Sequence, residues 1–432
     1  MMSLFKGAMR QHIQGHKELT EHVDVLEVKA KECVYIPLVS GASTKLDVLV
    51  AEGDQVYVGT KLAVCNERNV VPIYSSVSGT VKGTEKRMHS SLKPMNHLVI
   101  ENDGEYKKVQ AFEPLDYKSA DRLTLIDFMM NAGIIGLGGA GFPAYIKYKF
   151  ANDVEKVIIN AVECEPFITA DYKMIFAHKE EFVTGIMAMK KMAMSKEVVI
   201  AIKKTHPDLI AFTQEIIQGL EGVCVVAVPD VYPMGWERVL VREIMHKEYE
   251  KLPGEVGAIV NNATTAIAFG HALMYGEGIV SKTLTVSGNA VKNPQNVTVP
   301  VGVPVSEIIE ACGGYTSEEV KVIAGGPMMG KTIVNDKFVI DRNMNAITVL
   351  ANKEYDKVAC LRCGKCSDHC PAGLQPVKIA QAVKTKDKAL MDKFCALDCI
   401  ECGLCTYICP SRLDVTENVR MAKRQLMLAK KK

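Results

Sequence analysis

Eight of the fourteen cysteines fall in two runs that share one spacing. The first run is Cys360-x2-Cys363-x2-Cys366-x3-Cys370-Pro371, and the second is Cys399-x2-Cys402-x2-Cys405-x3-Cys409-Pro410. Three closely spaced thiolates followed by Cys-Pro form the pattern that wraps the corners of a 4Fe-4S cluster. Cysteines that form a disulfide framework are not expected to repeat one spacing in this way. The sequence therefore predicts two 4Fe-4S clusters in the C-terminal part of the chain.

In two-cluster domains of the bacterial ferredoxin type, the fourth cysteine of each run binds the other cluster. On that pattern the first cluster takes Cys360, Cys363, Cys366 and Cys409, and the second takes Cys399, Cys402, Cys405 and Cys370. A helix near Val377 to Val383 is expected to link them. A pair of structural zinc sites also uses C-x2-C pairs and remains the alternative. Because such clusters carry one electron at a time, the pattern predicts a short electron-transfer chain.

The remaining composition excludes several classes of protein. The chain has 52 Lys and Arg against 50 Asp and Glu, a formal charge of +2, so nothing indicates a nucleic-acid partner. The N-terminus lacks an apolar stretch of signal-peptide length, so we expect the thiols to stay reduced. The uncharged segment 128–146 contains five glycines and Pro143, which favours a loop over a membrane-spanning helix. The other cysteines are expected to be structural thiols: Cys33, Cys65, Cys164, Cys224, Cys312 and Cys395.

Hydrophobic patterning divides the chain into four regions, 1–115, 116–278, 279–350 and 351–432. Short strands in the first predict a β domain that resembles the barrel-sandwich fold of lipoyl and biotinyl carriers, although Ser78-Gly79 stands where a carrier needs a lysine. Alternating strands and helices predict a central α/β domain with a parallel sheet. Strand, strand, helix and strand predict a β-grasp unit, and short helices around the cysteines complete the chain. The predicted fold class is multidomain α+β.

A glycine-rich stretch, G-L-G-G-A-G-F-P, occupies residues 136–143. Glycines let backbone amides approach a phosphate, and a helix expected at 144–150 would add its N-terminal dipole. The preceding segment 123–131 looks helical, so the stretch does not fit the dinucleotide-binding fingerprint. A tight structural turn is the alternative interpretation.

Polar stretches also end two predicted strands. They are N-A-V-E-C-E-P at 160–166 and N-N-A-T-T at 261–265. Open α/β sheets bind ligands at the carboxyl ends of their strands, and carboxylates there accept hydrogen bonds from ribose hydroxyls or flavin nitrogens. Each stretch also suits a turn or a helix cap.

At these three stretches the chain resembles the complex I flavoprotein subunit family, and with the cysteine runs behind them the whole chain resembles the RnfC family of Rnf electron-transport complexes. The segment with V-S-G at 286–288 and A-G-G-P-M-M-G at 324–330 is similar to the SLBB domains of these families. The resemblance covers nearly the full length. Complex I flavoproteins have arginine where Leu137 stands and aspartate where Val162 stands, and their glycine-glutamate-glutamate loop has no evident counterpart here.

The resemblance implies FMN and NAD(H) as cofactors of the central domain, beside the two 4Fe-4S clusters. It assigns two groups of residues to them. Those implied to hold FMN and its phosphate are Gly136, Gly138, Gly139, Gly141, Lys147, Asn160, Glu163, Asn261, Asn262 and Thr265. Those implied to face the nicotinamide nucleotide are Phe142 and Glu165. No side chain need act as acid or base, because the cofactors carry the redox chemistry.

The leading hypothesis is a peripheral, NADH-oxidising subunit of an Rnf-type NADH:ferredoxin oxidoreductase. Its implied partners are membrane subunits that translocate ions and ferredoxin-like subunits, and its implied location is the cytoplasmic face of the membrane, without a span of its own. One alternative is a soluble reductase that serves a cobalamin or amino-acid reductase system. Another is a flavin-free electron-relay adaptor. The basic C-terminus, Arg420 to Arg424 and Lys430 to Lys432, indicates either a solvated face or a docking segment.

Overall fold

The computed structural model describes residues 10–41, 43–64, 71–139 and 141–430. Four features named in the sequence analysis fall wholly or partly outside these ranges. Cys65, the N-terminal stretch 1–9, Ala140 of the glycine-rich stretch and the final Lys431-Lys432 lie outside the described residues. The order of regions along the rest of the chain is β sandwich, parallel α/β sheet, mixed sheet and helical module, which confirms the predicted fold class.

The first region is built from short strands, and those other than β1 pair with antiparallel neighbours. They are β1 (Leu26–Glu27), β2 (Cys33–Pro37), β3 (Asp47–Val48), β4 (Gln55–Val56), β5 (Lys61–Val64), β6 (Ile73–Tyr74), β7 (Gly79–Met88) and β8 (Pro94–Asn102). One sheet has the order β2-β8-β7-β4 and a second has the order β3-β5-β6. Ser78 is buried and its hydroxyl donates to Asp103 at 2.6 Å, so this turn presents no exposed nucleophile.

The central region alternates strands and helices. Its elements are α1 (Arg122–Asn131), α2 (Tyr145–Lys149), β9 (Lys156–Ala161), α3 (Ala170–Ala177), α4 (Lys179–Ala193), β10 (Glu197–Lys203), α5 (Pro207–Ile216), β11 (Val223–Val228), α6 (Glu237–Met245), β12 (Ala258–Asn262) and α7 (Ala263–Tyr275). The four strands are parallel in the order β11-β10-β9-β12. Because β10 and β12 lie on opposite sides of β9, the strand order reverses there, and ligand crevices form at such reversals.

The third region forms a mixed sheet. Its elements are β13 (Ser281–Ser287), β14 (Gln295–Pro300), α8 (Val305–Ala311), β15 (Val320–Ala324), β16 (Lys331–Ile333) and β17 (Ala346–Ala351). The sheet has the order β1-β14-β13-β17-β15-β16, so its edge strand β1 comes from the start of the chain. Ile36 and Leu98 of the sandwich lie in the same hydrophobic core as Val286 and Val297. The first and third regions therefore share one core, which patterning along the sequence did not predict.

The C-terminal module consists of short helices around the cysteines. They are α9 (Lys365–Asp368), α10 (Pro376–Lys384), α11 (Lys388–Lys393), α12 (Leu404–Tyr407) and α13 (Val415–Lys430). The predicted linking helix is confirmed as part of α10. Ile379, Met391 and Val419 form a small core, and Trp236, the single tryptophan of the chain, packs against it from the central region. The module therefore packs against the central α/β region at Trp236, just before α6.

The uncharged segment 128–146 is not one helix. Helix α1 ends at Asn131 and α2 begins only at Tyr145, with the glycine-rich stretch between them. Among the described residues, no helix combines the length and the apolar composition that crossing a bilayer requires.

Helices α4 and α7 cross so closely that the contact tolerates no side chain. A Cβ atom on Gly185 of α4 would lie 1.9 Å from the carbonyl oxygen of Ala266 in α7. We expect Gly185→Ala to lower the free energy of unfolding by about 1–3 kcal/mol through overpacking, despite the better helix propensity of alanine. Urea denaturation followed by circular dichroism measures this. Gly254→Ala is the control, because a Cβ there meets no atom within 4 Å; equal midpoints for both variants would contradict the packing.

Candidate functional site

The glycine-rich stretch lies over the carboxyl end of β12. The amide of Leu137 donates to the hydroxyl of Thr265 at 2.9 Å, and a Cβ on Gly138 would lie 3.2 Å from the side chain of Asn262. Two strand-end residues predicted from sequence, Asn262 and Thr265, therefore meet the predicted loop. The arrangement brings backbone amides and strand-end polar groups to the point where the strand order reverses.

The loop is closed by its own backbone and leaves space above one glycine. The amide of Gly136 donates to the carbonyl of Phe142 at 2.8 Å, and that of Gly141 donates to Gly136 at 3.0 Å. Gly139 has φ of 106°, and a Cβ there would meet no atom within 4 Å. The Asn343 amide donates to the Gly139 carbonyl at 3.0 Å and packs against Gly141, so the open backbone at Gly139 is the part of the loop that fits close approach of a cofactor. Helix α2 has only five residues, so its dipole contributes less than the sequence predicted.

Asp171, which sequence reasoning missed, connects the polar groups beneath the loop. Its carboxylate accepts hydrogen bonds from the Asn262 amide and, at 2.6 Å, from the Thr264 hydroxyl. Its backbone amide donates to the Glu163 carboxylate at 3.0 Å. Asn262 also caps α7, since its carbonyl oxygen accepts from the Thr264 amide at 2.9 Å. The acidic residue in the first turn of α3 was the available sequence signal.

Buried ammonium groups face this network from two other regions. Lys17 donates to the backbone carbonyls of Glu163 and Glu165, each at 2.9 Å, and to that of Ile168. Lys282 of β13 reaches the carbonyl of Leu137 at 3.3 Å. Burial lowers the pKa of both, that of Lys282 to about 8. Burial also raises the pKa of Glu163 to about 7. Sequence reasoning missed both lysines, because only the tertiary fold brings them to the strand end.

Glu165 is oriented differently from the expectation that it faces a nucleotide. Its two carboxylate oxygens accept hydrogen bonds from the amides of Met329 at 2.8 Å and Met328 at 3.2 Å. Burial raises its pKa to about 7. The carboxylate is directed to these amides because the turn at 326–330 presents two backbone donors to a buried acid. Glu165 therefore joins the strand-end loop of the central sheet to the third region.

Three other predicted residues make protein contacts away from the loop. The ammonium of Lys147 donates to the carbonyl of Val260 at 2.5 Å, and Asn261 donates to the Tyr148 hydroxyl at 2.6 Å, so both pack between α2 and β12. Asn160 donates to the carbonyl of Gly235 at 2.9 Å. Phe142 remains 43% exposed at the mouth of the loop.

A polar cavity of about 370 Å³ opens outside the carboxyl ends of β9, β10 and β11, and no residue of the glycine-rich loop lines it. Cys164, Lys203 and Asp230 line it from the ends of the three strands, and residues 13–22 form its opposite wall. Lys203 and Asp230 form an ion pair at 2.8 Å. Parallel sheets bind nucleotides in this position.

The cysteines of the two runs line two separate cavities. One is lined by Cys360, Cys363, Cys366 and Cys409, and the other by Cys370, Cys399, Cys402 and Cys405. This grouping matches the predicted exchange of the fourth cysteine and supports it. Among the described residues no group of three or more His, Cys, Asp or Glu side chains converges on a single ion. A 4Fe-4S cluster needs no such point, because each thiolate binds a different iron corner.

The two runs repeat the same backbone conformation. Arg362 and Glu401 have φ of 55° and 57°, and Gly364 and Gly403 have φ of 79° and 77°. The amide of Arg362 donates to Cys360 Sγ at 3.4 Å, and that of Glu401 to Cys399 Sγ at 3.3 Å. Burial, with the neighbouring thiols, raises the pKa of Cys405 to about 12. Thiolates in this module therefore need a compensating positive charge, which fits iron.

The second cysteine set lies against the central and third regions. The hydroxyl of Tyr232 donates to the carbonyl of Cys402 at 2.7 Å, and a Cβ on Gly403 would lie 2.4 Å from the carbonyl oxygen of Met328. Cys402 is buried, whereas Cys360 and Cys363 of the first set are exposed. The second set is therefore buried where the module contacts the rest of the protein, and the first set lies at the surface of the module.

Iron content tests the ligand assignment. We expect Cys402→Ser to lose about half of the iron, because one of two clusters loses a buried ligand. Cys395→Ser is the matched control, since Cys395 is an exposed thiol outside both sets. Iron and acid-labile sulfide assays on anaerobically purified protein, with electron paramagnetic resonance of the reduced state, measure the loss. Unchanged iron in Cys402→Ser would refute the assignment.

The pH dependence of stability tests the burial of Glu165. Its pKa is about 7 in the folded protein against 4.5 for the free group, so the stabilisation from its protonated form is present below about pH 4.5 and is lost as pH rises towards 7. Glu165→Gln should remove this loss, which is up to about 3 kcal/mol. Urea titrations followed by Trp236 fluorescence between pH 5 and 8 measure it. Glu180→Gln, an exposed change on α4, should keep the wild-type slope.

Four family descriptions match the chain in sequence. Residues 5–105 match the RnfC barrel sandwich hybrid domain, and residues 129–271 match the Nuo51 FMN-binding domain. Residues 283–332 match the SLBB domain, and residues 352–410 match the 4Fe-4S dicluster domain. The order of these matches agrees with the order of regions in the fold.

Curated relatives align over most of the chain. The RnfC subunit of the Na(+)-translocating ferredoxin:NAD(+) oxidoreductase complex of Acetobacterium woodii is 34% identical over 99% of this chain and 98% of its own length. The RnfC subunit of the ion-translocating oxidoreductase complex of Rhodobacter capsulatus is 32% identical over 87% of this chain and 74% of its own. The RnfC subunit of the proton-translocating ferredoxin:NAD(+) oxidoreductase complex of Clostridium ljungdahlii is 30% identical over 87% and 83%.

Among solved structures, the NAD+-reducing [NiFe]-hydrogenase in its air-oxidized state is similar in fold. The TM-score is 0.50 at 16% sequence identity, over 71% of this chain and 63% of that chain. At this identity the likeness concerns the fold alone.

Proposed function

This chain belongs to the RnfC family of ion-translocating oxidoreductase complexes, and from that membership we propose that it oxidises NADH and delivers the electrons singly to a partner. Its oxidoreductase character and its flavoprotein and iron-sulfur domains follow from the family. The choice of NADH, the count of two clusters and the direction of transfer are the proposal. The observation that carries it is that one parallel sheet places the glycine loop at the end of β12 and a polar cavity at the ends of β9, β10 and β11, with the second cysteine set packed against Tyr232 of the same region.

FMN would supply the exchange between a two-electron hydride and single electrons, and 4Fe-4S clusters would carry those electrons one at a time. The chain's own part is to bind and orient. We assign the cradle to Gly136, Gly138, Gly139 and Gly141, and its polar floor to Asn262 and Thr265, with Glu163 held through Asp171. Lys147, Asn160 and Asn261 are assigned a supporting role, because each donates to a protein oxygen.

The nucleotide is assigned to the polar cavity at the ends of β9, β10 and β11, and exposed Phe142 of the glycine loop stays a candidate nucleotide contact. We assign Glu165 to the contact between the central and third regions rather than to the nucleotide, since both of its oxygens accept hydrogen bonds from backbone amides. The cavity holds Lys203 and His206 beside Asp208 and Asp230, so charged groups of both signs are available to ribose and phosphate.

The partners and the location are proposed from the names of relatives. The relatives from A. woodii and C. ljungdahlii are named as subunits of ferredoxin:NAD(+) oxidoreductases. We propose that this chain likewise works in a complex with membrane and ferredoxin-like subunits, on the cytoplasmic face of the membrane. The first of those relatives is named for Na(+) and the second for protons. The coupled ion is therefore not part of the proposal.

Anaerobic purification tests the proposed function directly. We expect about eight irons and about one FMN per chain, and bleaching of both chromophores on addition of NADH but not of NADPH. Eight irons without flavin and without bleaching would replace the proposal with a flavin-free relay adaptor. Bleaching by NADH followed by transfer to a soluble cobalamin system, without membrane partners, would identify a soluble reductase instead.

Two glycine-to-alanine variants distinguish a loss of flavin binding at the cradle from a general effect of backbone strain. Gly139→Ala should lower the bound FMN several-fold, because the added methyl group enters the open cradle at a left-handed φ of 106°. Gly104→Ala carries a similar strain, φ of 76° with no atom within 4 Å of the Cβ, but lies in the first region. Released-flavin fluorescence and iron content measure the outcome. Loss of flavin in both variants, or in neither, would contradict the assignment of the cradle.

A further inference from the structure

The first described residues of the chain cross the carboxyl edge of the central sheet. The amide of Tyr232, in the loop after β11, donates to the carbonyl of Gln11 at 2.7 Å. The amide of Phe167, in the loop after β9, donates to the carbonyl of Gly15 at 2.6 Å. We call residues 10–22 the N-terminal segment. It contacts both of the strand-end loops that flank the polar cavity.

The N-terminal segment is held on both sides of Lys17. On one side, the ring of His16 stacks on that of Phe167, with the ring centres 4.6 Å apart. On the other side, the side-chain amide of Asn296 in β14 donates to the carbonyl of Thr20 at 3.2 Å, and Thr20 is fully buried. Lys17 therefore enters the strand-end site from a backbone that is fixed before and after it.

The ammonium of Lys17 contacts the backbone of one loop. The carbonyl oxygens of Glu163 and Glu165 accept from it at 2.9 Å each, and that of Ile168 accepts as well. The residue is half-buried as a whole, and burial of its ammonium lowers the pKa. An ammonium has three N–H donors, so three carbonyls use all of them. Lys17 therefore has no donor left for a ligand, and its contacts serve the loop.

The loop at 163–168 has a backbone that requires support. Glu163 and Phe167 have φ of 41° and 66°, in the left-handed region that residues other than glycine rarely adopt. Such conformations persist only where the surrounding structure holds them. Three carbonyl oxygens also converge on one point, and their partial negative charges repel one another unless a donor lies between them. The Lys17 ammonium supplies that donor.

The same loop carries part of the polar floor of the cradle. The carbonyl of Glu163 accepts from Lys17, while its carboxylate accepts from the Asp171 amide at 3.0 Å. The Asp171 carboxylate in turn accepts from the side chains of Asn262 and Thr264. A shift of the Glu163 backbone would therefore disturb the groups assigned to the flavin. Through Glu163, the N-terminal segment is linked to the cradle.

We propose that Lys17 is a positioning residue of the flavin site, whose ammonium holds the loop at 163–168 in the shape that places Glu163 beneath the glycine cradle. The proposal rests on the proposed function, because it takes the cradle as the place where FMN binds. Lys17 touches neither the flavin nor a reacting atom, and no proton or electron passes through it. Its effect is on how tightly the chain binds FMN.

The affinity for FMN tests this role. Lys17→Met keeps the length of the side chain and removes the ammonium, so the Kd for FMN should rise at least about tenfold. Titration of FMN with the flavin-depleted full chain, followed by flavin fluorescence, measures it. Lys191→Met is the matched control, because that ammonium also donates to backbone carbonyls, those of Tyr117 at 3.1 Å and Lys118 at 2.8 Å, but lies in the last turn of α4, just before β10 begins at the opposite edge of the sheet. It should leave Kd within about twofold, and both variants should keep their iron.

Chemical rescue distinguishes the ammonium from a general effect on packing. Lys17→Ala removes three carbons and the ammonium, which n-propylammonium replaces. Added n-propylammonium should restore FMN affinity several-fold in Lys17→Ala but not in Lys17→Met, whose side chain fills the space. Tetramethylammonium at the same concentration has no N–H donor and should restore nothing. Rescue by both salts or by neither, or equal Kd values for Lys17→Met and the wild type, would overturn the proposal.

Reduction by NADH separates this proposal from the proposed function. A wild type that binds FMN but is not bleached by NADH, with the loss of affinity in Lys17→Met intact, would refute NADH oxidation and keep the role of Lys17. Bleaching of the wild type by NADH, with unchanged FMN affinity in Lys17→Met, would do the reverse. Hydrogen exchange of residues 163–172 in the flavin-depleted proteins should be faster in Lys17→Met than in Lys191→Met, and equal exchange would contradict the support of the loop.

Discussion

The hydrogen bonds of Glu165 to the amides of Met328 and Met329 hold three regions of the chain in one arrangement. Glu165 belongs to the loop after β9, the two methionines belong to the third region, and the backbone of Met328 lies against Gly403 in the cysteine module. A single buried carboxylate thus links the strand-end site, the mixed sheet and the second cysteine set. Under the proposed function electrons pass between these parts, so rigid contact between them would serve transfer as well as stability.

The two cysteine sets differ in burial, so the two ends of the C-terminal module are not equivalent. The second cysteine set touches the central region through Tyr232 and Cys402, while the first set has two exposed cysteines. One cysteine set is therefore enclosed by contact with the central region, and the other lies at the surface. The two cysteine runs have the same backbone conformation, but the residues between their cysteines differ.

Much of this fold could be predicted from the sequence, because its signals are local. Strand and helix patterns predicted the parallel sheet, and the predicted helix of the third region is α8. The family resemblance implied that the glycine stretch and the ends of β9 and β12 serve one cofactor site, and the stretch does contact Asn262 and Thr265 after β12. Asp171, Lys17 and Lys282 were missed, because tertiary contacts alone bring them to the site. The shared core of the first and third regions was missed for the same reason: apolar periodicity shows that a face is buried, but not against which partner.

The position of β1 has a consequence for synthesis of the protein. Residues 26–27 pair with residues 297–298, and the sandwich shares its core with strands that end only at Ala351. The first region to leave the ribosome therefore waits, with part of its apolar surface uncovered, until most of the chain has been made. During that interval the apolar surface that these later strands will cover is available for contacts with other chains.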